Sequence, residues 1–429
     1  MLSKYSINLL HSFRNNEKKV LLIAFIISII FRSIYVYVVY TKYGTESWSD
    51  DFYYLNAIEK IANGNWNITY GESNYLIVGP SLPLLGALFL KLSNNVLIPF
   101  FIYNIVVTSL MVPVLYYFAK EVFNEKVGWL IVIWGVFFIE AYKYSPHILK
   151  EPTLFLFVPL TLLFLVKAIK SEDKRIINIF FASLSFMWLI HTDERYFVYL
   201  PVFTLFFLLI KPLHLSIYLK TASLWISFLV LLMLPWGIRN YLVFDQIVIL
   251  TPRTTAITYK FWGENLASIA SHFSDEKETQ KIINGRYENA LEFGKRYNIT
   301  PRQYGELEAR IRAFINFWQP TYFTPTFIQY GYRSIIWSFK HNAASLLFYG
   351  MLLPFYIVGF FVLIKQKHHF ALVIALIPFI HSLMHAYMVW PLERYRSPVT
   401  FIVVMIGIYV ILELINKTKI NFFRGITVR

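Results

Sequence analysis

Long apolar segments separated by short polar ones dominate the chain. A membrane-spanning helix needs about 20 mostly apolar residues, and ten segments meet or approach that length. They are Val20–Tyr40, Val96–Ala119, Val127–Tyr142, Pro152–Val166, Ile176–Ile190, Tyr196–Ile210, Leu219–Gly237, Leu346–Ile364, Phe370–Val389 and Val399–Leu414. The pattern predicts an all-α polytopic membrane protein with about 10 transmembrane helices.

One further apolar segment, Leu76–Leu92, is short and interrupted by Gly79, Pro80 and Pro83. Lys and Arg in short loops favour the cytoplasmic side of a membrane. If this segment does not span, both termini lie on the same side, and most Lys and Arg of the short segments fall on that side. If the segment spans, every later loop changes side and most Lys and Arg fall on the side opposite the N-terminus. We therefore expect a re-entrant or interfacial helix on the outer face, with both termini cytoplasmic in the cell (inner or plasma) membrane.

This topology divides the chain into four parts. Residues 1–237 form an N-terminal transmembrane module that contains a first outer loop over 41–95. Residues 238–344 form a large outer loop, residues 345–415 the C-terminal transmembrane helices, and residues 416–429 a basic cytoplasmic tail. Polar, helix-like stretches inside the outer loops predict juxtamembrane helices on the outer face.

The large outer loop holds two such polar stretches, Asp275–Tyr297 and Pro301–Trp318. Thr300-Pro301 is typical of a helix start, because proline is favoured at the first helical position.

The composition excludes several kinds of functional site. The chain has 429 residues, of which 57% are hydrophobic and 15% charged, and its formal net charge is +15. The absence of cysteine excludes disulfide scaffolds, zinc-thiolate sites and cysteine nucleophiles. There is no Walker, GxGxxG or HExxH motif, so a nucleotide site is not indicated. The excess of Lys and Arg fits basic cytoplasmic loops rather than a nucleic-acid partner.

The first outer loop opens with an acidic pair, Asp50 and Asp51, followed by apolar positions at helical spacing. One interpretation is helix capping, with Ser49 as N-cap and two acidic residues in the first turn. The other is a carboxylate at the mouth of a membrane cavity, acting as general base or metal ligand. The two interpretations are compatible.

Two more outer turns carry charge. Lys150 and Glu151 precede a span, where they form either a surface ion pair at a helix start or a charged group facing a polar cavity. The turn His191–Arg195 is either a solvated hairpin tip or brings Arg195 to a lipid phosphate.

Arginine recurs at the outer ends of later spans. Arg239 and Asn240 end one span, and Arg394 and Arg396 lie in the last outer loop. Each arginine either extends its head group to the lipid headgroups or grips a phosphate through a bidentate contact.

His381, His385 and Arg32 are polar residues that lie inside the predicted spans. His381 and His385 are one helical turn apart, a weak metal-site signal without a carboxylate motif. Arg32 is expected to pack against a neighbouring helix.

Taken in order, these motifs resemble those of C-type polyprenyl-phosphate-dependent glycosyltransferases, in the superfamily of protein O-mannosyltransferases and the lipid A aminoarabinose transferase. The family usually has Asp-Glu where this chain has Asp50-Asp51. The motifs that carry the resemblance are Asp50–Tyr54 through Gly64, Gly79–Leu85, Lys150–Pro152, Pro235–Tyr241 and Arg394–Pro398.

The resemblance implies transfer of one sugar, with inversion, from a polyprenyl-phosphate donor to an acceptor hydroxyl of a glycan, lipid or protein. It implies that Asp50 takes the acceptor proton and that Glu151 orients the acceptor or shares a metal with Asp51. No cofactor is implied with certainty, and a divalent cation at these acidic residues is left open. The residues assigned to substrate binding are Tyr54, Lys150, Arg195, Arg239, Asn240, Arg394 and Arg396.

Two other classes stay open. A transporter or flippase for polyprenyl-linked glycans would share the cavity and the arginines, although no inverted repeat or paired broken helices support it. A polysaccharide polymerase would share the large outer loop but would not need the acidic pair.

Overall fold

The computed structural model describes residues 16–43, 49–65, 79–210, 214–244, 250, 305–320, 345–387 and 393–426, with single positions between 280 and 303 and at 343. Within these residues the chain is helical and contains no strand, as expected for an all-α polytopic membrane protein. The α-helices are α1 Glu17–Tyr43, α2 Ser49–Ala62, α3 Ser81–Ser93, α4 Leu97–Val122, α5 Glu125–Val136, α6 Ile139–Tyr144, α7 Glu151–Lys170, α8 Arg175–Thr192, α9 Tyr199–Phe206, α10 Leu215–Phe244, α11 Glu306–Phe317, α12 Leu353–Lys365, α13 His369–Tyr387, α14 Glu393–Arg396 and α15 Thr400–Ile426.

In the described part of the chain, nine helical segments are long and apolar enough to cross a membrane. The protein is therefore a multi-pass membrane protein. Nine of the ten predicted spans coincide with these segments, and the exception is Tyr196–Ile210. The nine segments are Glu17–Lys42, Leu97–Val122, Glu125–Tyr144, Glu151–Lys170, Arg175–Thr192, Leu215–Leu242, Leu346–Lys365, His369–Tyr387 and Arg394–Lys417.

The helix bundle has two ends, each marked by contacts between helix termini. At one end Lys150 and Asp193 form an ion pair at 2.9 Å, and we call this the site end. At the opposite end Lys170 and Glu121 are paired at 3.3 Å, and the rings of Phe123 and His368 lie 5.5 Å apart.

The segment Tyr196–Ile210 joins the two ends without forming one continuous helix. A 3-10 helix over Glu194–Val198 leads into α9, and a second 3-10 helix covers Phe207–Leu209. Asp193 precedes it at the site end, whereas Leu209 and Ile210 border a cavity with His368 at the opposite end. The chain therefore passes from end to end in three short pieces.

Helix α3 is too short to cross the bundle, as expected for this part of Leu76–Leu92. Its predicted position on the outer face stays a prediction. The hydroxyls of Ser81 and Thr192 are 2.7 Å apart, which places the start of α3 at the site end. Its last residue, Ser93, accepts a hydrogen bond from the backbone N–H of Asn95 just before α4 begins. Both ends of α3 thus lie on the side from which α4 starts.

Helix α4 is the central element, packed against α1, α5 and α7. Arg32 of α1 is fully buried in this packing, where Nη2 donates to the carbonyl of Gly135 at 2.9 Å and the guanidinium lies 5.1 Å from the ring centre of Tyr142. The expectation that Arg32 packs against a neighbouring helix is confirmed.

Gly79 has no room for a side chain, because an added Cβ would lie 2.1 Å from the backbone oxygen of His191. We expect Gly79→Ala to cost about 1–3 kcal/mol, as overpacking does in cores, and to lower the apparent unfolding temperature of the purified protein. Gly237→Ala is the matched control, since nothing lies within 4 Å of its added Cβ. It should leave the temperature unchanged or raise it slightly. Equal temperatures for the two variants would contradict the close contact.

Candidate functional site

A buried ion cluster at the site end links three helix termini. Asp193 follows α8 and is only 2% exposed. Its Oδ2 accepts from Lys150 Nζ at 2.9 Å, and its two oxygens accept from Nε and Nη2 of Arg195 at 2.8 and 2.5 Å. The bidentate contact is the strong, directional form of an Arg–carboxylate pair. The turn His191–Arg195 is thus buried, in contrast to a solvated hairpin tip.

The cluster holds its charges in the ionised state. Burial alone would raise the pKa of Asp193, but the positive charges of Arg195 and Lys150 outweigh burial and hold that pKa well below its usual range. For Arg195, burial lowers the pKa, and the Asp193 carboxylate outweighs this effect and raises it above the ordinary value. Arg195 and Lys150 are therefore already neutralised in part by a protein carboxylate.

Glu151 begins α7 beside this cluster, at a position with 1% exposure. Within the described residues, neither of its carboxylate oxygens accepts a hydrogen bond. The nearest described cationic group is Arg394 Nε, 3.5 Å from Oε1. A buried carboxylate that accepts no hydrogen bond from the described residues is costly, and Glu151 therefore keeps the capacity to accept a hydrogen bond.

Asp51 of α2 supplies a second buried carboxylate, 6% exposed. Its Oδ2 lies 3.3 Å from Nδ1 of His147, while Oδ1 has no hydrogen-bond partner among the described residues. The amide of Asn104 donates to the carbonyl oxygens of Ser145 and His147 at 3.1 and 2.7 Å. Helix α4 thereby fixes the turn that holds His147 against Asp51.

Tyr395 forms an aromatic surface on which three cations lie. The distances to its ring centre are 4.5 Å for Arg195 Cζ, 5.0 Å for Arg394 Cζ and 5.8 Å for Lys150 Nζ. The backbone oxygen of Tyr395 accepts a hydrogen bond from His381 Nε2 at 2.7 Å. This ring is the common support of the cationic side chains.

His381 has a defined tautomer in this arrangement. Because Nε2 donates to a carbonyl, the neutral ring accepts at Nδ1, where the hydroxyl of Tyr199 lies at 2.7 Å. His385 stacks on Tyr395 at 4.7 Å. No group of three or more metal-ligating His, Asp or Glu residues occurs in the described parts of the chain.

The remaining predicted site residues are distributed around this cluster. Nη1 of Arg396 donates to the backbone oxygens of Phe317 and Gln319, and Tyr54 lies in the hydrophobic core. Arg239 lies over Trp236 and donates to the Asn240 side chain at 2.9 Å.

Asp50 belongs to α2 by its backbone, but its side chain lies outside the described residues. The predicted role of Asp50, like the other predicted roles, stays a prediction. What the structure establishes is the meeting of Lys150, Glu151, Arg195 and Arg394 at one place.

Three residues of the site were missed as functional candidates from the sequence: Asp193, His147 and Tyr395. Each stands within three residues of a predicted site residue. A carboxylate flanked in sequence by cations, such as Asp193 two residues before Arg195, is a usable signal for a buried pair. The Asp51–His147 contact has no sequence signal, because the two residues lie far apart in the chain.

An apolar groove of about 610 Å³ lies between α8, α9 and α10. Its walls are formed by aliphatic and aromatic side chains, and its lining extends to Gly237, Ile238 and Tyr241 near the end of α10. The rings of His191 and Trp236 are 6.3 Å apart, which joins this end of the groove to the site end.

The fold and site define a polytopic membrane protein with a cluster of buried charged side chains at one end of its helix bundle. Residues 78–238 match the family model described as dolichyl-phosphate-mannose-protein mannosyltransferase. No curated protein matches the sequence significantly. The resemblance to C-type polyprenyl-phosphate-dependent glycosyltransferases is confirmed by this match and by the fold comparison.

Solved structures of the oligosaccharyltransferase of Archaeoglobus fulgidus share the fold at 15% sequence identity. The apo form aligns with a TM-score of 0.54 over 95% of this chain and 51% of the other. The complex of that enzyme, AglB, with an inhibitory peptide and a dolichol-phosphate aligns with a TM-score of 0.57 over 96% of this chain and 52% of the other. The chain thus spans about half the length of these structures.

Asp193→Asn should test the ion cluster, because it leaves Lys150 and Arg195 buried with no carboxylate between them. We expect a loss of about 3–5 kcal/mol and a lower unfolding temperature at neutral pH. Since the folded pKa of Asp193 is depressed, its contribution is complete above the unfolded pKa of about 3.9 and declines as the pH falls toward the folded pKa.

The unfolding temperature of the wild type should therefore exceed that of Asp193→Asn by a constant margin from pH 8 to about pH 5. This margin should shrink below about pH 4. Asp173→Asn, at an exposed position of the opposite end, is the control and should behave as the wild type at neutral pH. A margin that grows on acidification would contradict the assignment.

Proposed function

We propose that the protein is an integral-membrane glycosyltransferase that moves a single sugar from a polyprenyl-phosphate donor to an acceptor hydroxyl on the outer face of the membrane, with inversion. The observation that carries the proposal is the juxtaposition at Glu151. This buried carboxylate accepts no hydrogen bond from the described residues, and it lies 3.5 Å from Arg394 and beside the Lys150–Asp193–Arg195 cluster. The family match and the shared fold support it.

The reaction requires one bond to form as another breaks. The acceptor oxygen attacks the anomeric carbon, the bond from that carbon to the phosphate oxygen breaks, and the phosphate leaves with the electron pair. The acceptor proton passes to a carboxylate. Asp50 is the proposed base, and Asp51 and Glu151 are the neighbouring carboxylates that orient the acceptor.

The leaving phosphate gains negative charge, which preorganised cations stabilise. We assign this role first to Arg394, because its Nε lies 3.5 Å from Oε1 of Glu151, the carboxylate proposed to orient the acceptor. Arg195 and Lys150 are paired with Asp193, so we assign them to fixing the geometry of the site end as well as to its positive potential. If the enzyme uses a divalent cation, Asp50, Asp51 and Glu151 are the carboxylates available to hold it.

The apolar groove suits the prenyl chain of the donor. Its lining is almost entirely apolar, and it runs from within the bundle toward the site end. A phosphate headgroup near Arg239 or Arg394 would leave the chain free to follow α10. The outer-face orientation rests on the distribution of Lys and Arg in the loops.

Lipid mass spectrometry of cell membranes tests the activity. We expect a deletion, Asp50→Asn and Glu151→Gln to accumulate the same polyprenyl-phosphate monosaccharide, because the donor is made but not consumed. Asp173→Asn, an exposed carboxylate at the opposite end, is the matched control and should leave the pool unchanged. The mass of the accumulated lipid identifies the sugar.

Other outcomes favour the alternatives. If the deletion changes the pool but neither carboxylate variant does, a transporter or flippase for polyprenyl-linked glycans fits better. Accumulation of a lipid-linked oligosaccharide instead would favour a polymerase. If none of the variants changes any polyprenyl-linked lipid, the proposed donor is wrong.

Gly237 offers a test of the groove, because its surroundings have space for a larger side chain. We expect Gly237→Phe to weaken binding of undecaprenyl phosphate, measured by native mass spectrometry, by at least about tenfold, which corresponds to about 1.4 kcal/mol. Binding of the short analogue geranyl phosphate should change little, and Gly237→Ala should bind both as the wild type does. Equal losses for the long and short lipids would place the effect outside the groove.

A further inference from the structure

Helix α11 runs beside the membrane helix α13 instead of standing away from it. Near its start, the Arg310 guanidinium lies 4.5 Å from the ring centre of Tyr387, the last residue of α13. Just past its end, the rings of Trp318 and Phe379 are 4.7 Å apart. The two contacting residues are separated by the same number of residues in α11 as in α13, and their order is reversed. Helix α11 therefore runs antiparallel to α13 for about 12 Å.

The far end of α11 is therefore at membrane depth. Phe317 packs against His381 and His385 of α13, with ring centres 5.8 and 6.2 Å away. A helix that ends inside a membrane needs partners for its last carbonyls. Arg396 provides them, since Nη1 donates to the oxygens of Gln319 and Phe317 at 2.6 and 3.2 Å.

The two faces of α11 differ in what they contact. Ala309, Ala313 and Phe317 are buried, and Phe317 identifies this face as the one toward α13. At about 100° per residue, the positions of Leu307, Ile311 and Ile315 fall on the opposite side of the helix.

That opposite face is apolar and open. Leu307, Ile311 and Ile315 are 72%, 51% and 55% exposed, and we call them the apolar stripe. The charged residues on its two flanks neutralise each other, through Glu306–Arg310 at 2.5 Å and Glu308–Arg312 at 2.8 Å. Paired charges lower the cost of lying at a membrane surface.

The apolar stripe continues a lipid-facing surface. Leu383 and Tyr387 of the span α13 are exposed large apolar side chains. Arg310, on one flank of the stripe, stacks on Tyr387. The lipid-facing side of α13 thus passes directly onto α11.

We propose that α11 is a re-entrant helix whose apolar stripe contacts the acyl chains of the adjacent bilayer leaflet. The large loop between the spans α10 and α12 is thereby anchored in the membrane. Arg396 holds the inserted end. The neighbouring Arg394 and Tyr395 belong to the site, so the anchor lies next to the ion cluster.

The cysteine-free sequence allows site-directed spin labelling without background. Leu307→Cys, Ile311→Cys and Ile315→Cys would be labelled in the full chain, reconstituted in phosphatidylcholine vesicles, and compared for collision with oxygen, which concentrates in acyl chains, and with a water-soluble nickel chelate. Leu231→Cys, exposed on the span α10, is the lipid control, and Asp173→Cys is the water control.

We expect the oxygen-to-nickel collision ratio at Ile311 and Ile315 to approach that of Leu231 and to increase from Leu307 to Ile315 as the helix goes deeper. Nickel accessibility equal to that of Asp173 would overturn the proposal. Inaccessibility to both reagents would also overturn it, because a protein segment would then cover the stripe. The readout needs no substrate, so its result is independent of the proposed transferase activity.

Discussion

The ion cluster around Asp193 is the interaction on which the site end depends. A carboxylate removed from water at the end of an apolar bundle is tolerable only with opposite charges in direct contact. Asp193 receives them from Lys150, at the start of α7, and from Arg195, in the next turn of chain. Because both cations also lie on the ring of Tyr395, the cluster ties α7 and α8 to the short helix α14 before the last span.

The charged side chains of the site end differ in whether described residues satisfy them. Asp193 forms ion pairs with Lys150 and Arg195, and a backbone oxygen just after α11 accepts a hydrogen bond from Arg396. Glu151 and Asp51 keep carboxylate oxygens that no described residue occupies. The ion pairs thus fix the geometry of the site end, while these two buried carboxylates keep acceptor capacity that the described residues do not use.

Interrupted helices bring polar groups to membrane depth at several places. The segment after α8 crosses in three short pieces, α3 starts and ends on one side, and α11 ends beside the middle of α13. Each interruption exposes backbone groups that must find partners inside the protein. Side chains such as Arg396 and Asn104 provide them, and this polar framework is what positions the site.

The sequence by itself determined the class of fold, because apolar length is a local property that the bilayer thickness translates directly into spans. It also predicted, from the distribution of Lys and Arg in the short loops, that the segment containing α3 does not span, and it anticipated the packing of Arg32. The continuous span predicted for Tyr196–Ile210 was wrong in form, since apolar composition does not reveal where a helix breaks.

Only the tertiary structure decided which charged residues meet. Lys150, Glu151 and Arg394 were candidates in the sequence, but the sequence could not tell that Asp193 neutralises Arg195 or that Arg396 binds backbone oxygens. The Asp51–His147 contact likewise joins α2 to the turn between α6 and α7. The physical reason is that these interactions depend on distances of a few ångströms between distant parts of the chain, which are set by how the helices pack and not by the residues near each charge.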